Sequence, residues 1–133
     1  MSLEEFKGTY KYQEFISLNP AFGRLKVRAY TASEAIPVRG LDVKITKVID
    51  GENVVFFEGK TDSSGAIENI LLPAPKLDSE NNQIPPSIEY SLTASYNGKF
   101  KPVVYKVIIY DNIYVIQNIN VLPEANLEEQ LWL

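Results

Sequence analysis

Among its 133 residues the chain has no cysteine and no histidine, and only one Met and one Trp. The first two absences exclude disulfides, thiolate nucleophiles, zinc fingers, imidazole bases and every Ser-His or Cys-His catalytic pair. No segment approaches the roughly 20 apolar residues of a membrane-spanning helix. The first ten residues are charged and lack the apolar core of a signal peptide. Basic residues are the minority, 13 against 17 acidic ones, for a net charge of -4. A nucleic-acid backbone or an anionic membrane surface is therefore not the expected partner, since each calls for a basic face.

What is present suits one folded domain with one core. Eight Tyr and six Phe, among many Val and Ile, favour strands over helices. Residues 1–21 read as a polar lead in which Tyr12, Phe15, Ile16 and Asn19 fall at helical spacing until Pro20 stops the pattern. From Gly23 the period becomes two. Leu25, Val27 and Ala29 alternate with Arg24, Lys26 and Arg28, which predicts a half-buried strand with a basic outer face.

The alternation resumes with Leu41, Val43 and Ile45 after a loop over 31–39, and Asp50-Gly51 marks a tight hairpin. Val54, Val55, Phe56 and Phe57 are apolar on both faces and read as a central strand. Thr61 to Gly65 turns the chain toward Ile67, Ile70 and Leu72. Residues 73–87 hold four prolines and read as a long, stiff, solvated connection. Tyr90, Leu92, Ala94 and Tyr96 form the core face of the next strand, and two more strands flank Asp111-Asn112. About seven strands result, predicting an all-β, antiparallel Greek-key sandwich over 22–123 with a short helical lead. Residues 124–133 form an acidic tail carrying Leu127, Leu131 and Trp132.

Gly40 with Leu41 and Val43, the turn residues Thr61, Asp62 and Gly65, the pair Tyr90 and Leu92, and Gly98 with Phe100 occur in an order that resembles carboxypeptidase regulatory-like domains. Such domains have a transthyretin-like sandwich. The stretch from Tyr12 to Ala32 further resembles the opening of such domains in Gram-positive, clostridia-like bacteria. The resemblance implies a structural or interaction module of a cell-wall or spore-associated protein, in an extracellular or cell-envelope setting. It gives Gly40, Asp62 and Gly65 a structural role at turns and implies no cofactor. The related collagen-adhesin repeats often join a core Lys to an Asn near a buried acid. Here Lys26 alternates outward and Ala94 stands where the acid belongs, so no bond from Lys26 to Asn118 or Asn120 is expected.

Candidate chemistry rests on carboxylates and tyrosines. Asp42, Asp50, Asp62, Asp78 and Asp111 have ready roles in turns and on surfaces, and no paired acids suggest a carboxylate-based hydrolase. The expectation is that the chain is not an enzyme. Asp50, Glu52, Asp62, Asp78 and Glu80 lack the spacing of a calcium loop, so no metal is expected. A glycan would need exposed planar rings, and Tyr105, Tyr110 and Tyr114 flank one hairpin. Peptidoglycan binding by these three is the alternative to a protein-binding module. Residues 103–121 are apolar on both faces, so an exposed edge there would invite partner strands or a homo-oligomer.

Overall fold

The structure is a computed structural model and describes residues 1–31, 36–78, 84–96 and 102–121. Two short helices precede the sheets, α1 (Leu3–Lys7) and α2 (Tyr10–Leu18). Ser2 starts α1 with a capping box: its hydroxyl accepts from the Glu5 N–H, and the Glu5 carboxylate returns to the Ser2 N–H. Thr9 caps α2 through the N–H of Tyr12.

Among the described residues eight strands follow: β1 (Ala21–Thr31), β2 (Ile36–Pro37), β3 (Asp42–Ile49), β4 (Glu52–Lys60), β5 (Ala66–Ala74), β6 (Ser87–Ser95), β7 (Val103–Tyr110) and β8 (Tyr114–Asn120). One sheet has the order β4-β3-β6-β7. The other is centred on β1, with β5 antiparallel on one side, β8 parallel on the other and β2 pairing the end of β1 at Tyr30 and Thr31. The all-β sandwich and its helical lead are as expected. Two details differ: β2 is a two-residue strand inside the expected loop, and one pairing is parallel because β8 returns to β1 rather than folding onto β7.

Between the sheets lie Leu25, Val27, Leu41, Val43, Ile45, Leu72, Leu92, Val107 and Ile109, all essentially inaccessible. Tyr90 ties the layers together: its hydroxyl donates to the Pro73 carbonyl at 2.6 Å. Burial raises its pKa, so the phenol remains a donor.

The apolar run in β4 has a different cause from the expected one. β4 is the outermost strand of its sheet, and the helical lead packs beside it through Phe6 and Phe15, which join the same core. Phe56 is the extra residue of a bulge, since Ile45 pairs with Phe57 and Thr46 with Val55. Its ring lies 5.5 Å from Phe15, 6.3 Å from Phe6 and 5.2 Å from Tyr90. The chain terminus adds to the strand's free edge: the Val55 N–H donates to the Met1 carbonyl and the Met1 ammonium to the Asn53 carbonyl. That capping removes part of an exposed edge. The lead thus folds back over its own sandwich. The tail at 124–133 lies outside the described residues.

Candidate functional site

The chain changes sheets between Tyr110 and Tyr114, and Gly23 permits it. A side chain at Gly23 would overlap the Tyr110 carbonyl oxygen and the Ile109 Cγ2, so only glycine lets β7 end against β1. Asn112 takes φ 55° and donates its N–H to the Phe22 carbonyl, while the Arg24 N–H reaches the Ile113 carbonyl. Asp111 turns the other way and accepts the Leu77 N–H on Oδ2 at 3.0 Å. These contacts shape a hollow of about 320 Å³ lined by Leu77, Pro85, Pro86, Tyr110, Asp111 and Ile113.

Next to the crossing, the outer face of the β1 sheet is unexpectedly apolar. Arg24 pairs in register with Leu71 on one side and Tyr114 on the other, so the three share one face. Phe22 and Ile116 lie two residues along on that face. Phe22 is 51%, Leu71 60%, Tyr114 44% and Ile116 54% exposed. The Arg24 guanidinium lies over the Tyr114 ring, 5.4 Å from its centre, a cation–π contact. Farther along, Lys26 points outward as expected and pairs with Glu68 at 2.9 Å.

The three tyrosines singled out from the sequence do not form one cluster. β7 and β8 belong to different sheets, so the expected final hairpin is a crossover. Tyr105 shares the inward parity of Val107 and Ile109 and is half-buried; burial, then the neighbouring Tyr30, raises its pKa. It lies about 17 Å along the strand from Tyr110, counting ~3.3 Å per residue. Tyr110 lines the hollow and Tyr114 stands on the outer face. Phe22, Leu71 and Leu77 escaped notice. Phe22 did carry a signal, since it is a large apolar residue at the head of the outward row of Arg24, Lys26 and Arg28.

Gly40, Asp62 and Gly65 meet in one knot at the far end of the sandwich. Gly40 and Gly65 have φ of 80° and 76°. The buried Thr61 hydroxyl joins their loops, donating to the Val38 carbonyl at 2.6 Å and accepting the Leu41 N–H at 2.9 Å. Asp62 Oδ1 accepts from the Ser64 hydroxyl, the Ser64 N–H and the Ala66 N–H. Those bonds, the Ser64 hydroxyl first, hold its pKa below the usual carboxylate range. A carboxyl that titrates lower when folded contributes stability that is complete above its unfolded pKa, about 3.9. That stability is lost as pH falls through the lower folded value. Melting temperatures of the wild type should therefore drop more steeply below about pH 4 than those of Asp62→Asn. Parallel curves for the two proteins would refute the assignment.

Among the described residues no group of three or more acidic side chains is placed to hold a metal ion. Asp50 instead meets Lys11 at 2.7 Å, which raises the Lys11 pKa. Asp42 pairs with Lys60. No described helix is long and apolar enough to cross a membrane.

No protein-family model and no curated protein sequence matches the chain. Solved structures do. The 5-hydroxyisourate hydrolase of Klebsiella pneumoniae is 17% identical, with a TM-score of 0.47, over 74% of this chain and 92% of that one. Transthyretin from Sparus aurata is 17% identical, with a TM-score of 0.46, over 76% and 90%. Sea bream transthyretin in complex with thyroxine is 16% identical, with a TM-score of 0.43, over 70% and 85%. The likeness is one of fold, a transthyretin-like sandwich. It also corrects the expectation that the chain is not an enzyme. A hydrolase stands among these structures, and that reading is withdrawn. The physical reason is that catalytic groups are grafted onto faces and loops, so a sandwich framework does not exclude chemistry.

Proposed function

We propose that this chain is an interaction module that docks a protein neighbour through the outer face of β1, β5 and β8, with a second copy of the chain as the simplest such neighbour. The observation that carries the reading is the exposed patch of Phe22, Leu71, Tyr114 and Ile116 around Arg24. Exposed apolar side chains gathered on one face mark association surfaces on otherwise polar proteins. Arg and aromatic residues are also the types that anchor interfaces. The two border strands support the same reading. β7 and β8 border their respective sheets, and among the described residues each is paired on one side alone. A bacterial cell-envelope or spore-associated setting is part of the proposal and rests on the sequence resemblance.

Glycan binding is the second reading, favoured by the partly exposed rings of Tyr114 and Phe22. Aliphatic Leu71 and Ile116 complement protein better than sugar hydroxyls, which places it second. Sedimentation velocity over a concentration series, with a Phe22→Ser/Tyr114→Ser variant in parallel, tests the first reading. Association is expected in the wild type and at least tenfold weaker in the variant, corresponding to ~1.4 kcal/mol or more. A chain that stays monomeric at every concentration removes the self-docking form. If that monomer is retained on insoluble peptidoglycan and the variant is not, glycan binding takes its place.

A further inference from the structure

The hollow at the sheet crossing is distinct from the proposed docking face, and its chemistry is unusual for the surface of a sandwich. Leu77, Pro85, Pro86, Tyr110 and Ile113 supply an apolar wall, and among the described residues Asp111 is the one carboxylate in it. Its volume of about 320 Å³ falls at the small end of ligand sites, which run from roughly 300 to 1,000 Å³.

Among the described residues, one Asp111 oxygen is engaged. Oδ2 accepts the Leu77 N–H at 3.0 Å, and among the described residues Asp111 makes no ion pair. A half-buried carboxylate set among apolar side chains gains from a cation that replaces lost water. The Tyr110 ring adds to the same preference, because the face of an aromatic ring attracts cations. Proline and tyrosine rings also offer flat surfaces on which another ring can stack.

We propose that this hollow is a binding site for a small organic cation, a ring-sized apolar group bearing an ammonium. The ammonium donates to Asp111 Oδ1, and the ring lies against Tyr110 and the two prolines. The carboxylate excludes the corresponding anion, so discrimination by charge is the signature that separates this site from a merely greasy depression.

The test is an amide-resolved NMR titration with phenethylammonium, and with phenylacetate as the anion of matching ring and chain. Phenethylammonium should shift the amides of Leu77, Tyr110 and Ile113 and bind at least tenfold more tightly than phenylacetate, a ratio in line with one charge-assisted hydrogen bond and one cation–π contact. Asp111→Asn keeps an oxygen for the Leu77 N–H and removes the charge; it should narrow the ratio to about twofold. Tyr110→Leu keeps the wall apolar and should weaken phenethylammonium several-fold. Equal binding of the two ions overturns the proposal. So does a preference that survives in Asp111→Asn, or a titration that leaves these three amides unmoved. Because the docking face lies outside the hollow, self-association of the wild type should be unaffected by the ligand, and loss of one property leaves the other testable.

Discussion

Gly65→Ala should lower stability by about 3 kcal/mol, and the melting temperature by on the order of 10 °C. Two costs combine at this position. The residue has φ 76°, where an L side chain meets its own backbone at a cost of about 1 kcal/mol. A Cβ there would also overlap the Ala29 carbonyl oxygen and come within 3.1 Å of Pro37 Cβ and the Val38 nitrogen. Backbone atoms cannot swing aside as a flexible side chain can. They belong to a web in which Gly65 O accepts from Ala29 N, and Ala29 O accepts from Val38 N. Gly40→Ala is the control, because Gly40 has φ 80° and nothing within 4 Å of an added Cβ. It should lose only the conformational part, about 1 kcal/mol. Urea unfolding of both variants measures the difference. Equal losses would mean that close approach at Gly65 contributes nothing.

Phe6→Ala should cost about 3–4 kcal/mol, as expected for deleting a fully buried aromatic ring. Phe6 is 2% exposed and stands amid other rings, 5.6 Å from Tyr12, 5.9 Å from Phe15 and 6.3 Å from Phe56. Through Phe56 the cluster reaches Tyr90, whose hydroxyl bridges the sheets. A helix of five residues cannot persist alone, so loss of this anchor should release α1 and uncover Phe56. Tyr10→Ala, in the same lead at a position 75% exposed, should be close to neutral. A loss below about 1 kcal/mol for Phe6→Ala would show that the helices merely rest on the sandwich.

Alternation made the strands readable. Leu25, Val27 and Ala29 against Arg24, Lys26 and Arg28 described β1 as it stands, and the Asp50-Gly51 turn lies where its residue types place it, at φ 53° and 79°. The same rule failed at Val54 to Phe57. The bulge at Phe56 breaks the alternation, so Phe56 and Phe57 do not mark opposite faces, and the run is silent on whether a sheet or a helix packs beside the strand. Periodicity was equally silent on Tyr105, whose parity follows from pairing with Leu92 on the core side of β6.

The sequence by itself determined the class of the fold, its core faces, its glycine-bearing turns and the chemistries that lie out of reach without Cys or His, because these follow from residue type and local period. Only the tertiary structure decided that the last two strands part into different sheets. It alone brought Tyr110 beside Leu77 and the prolines, and set Phe22 and Leu71 around Arg24 and Tyr114. Those juxtapositions join segments tens of residues apart, through hydrogen bonds such as Arg24 N–H to Ile113 and Leu77 N–H to Asp111, and through the missing side chain of Gly23. Local patterning encodes which side of a strand is buried; which strand lies beside which is settled by packing of the whole core.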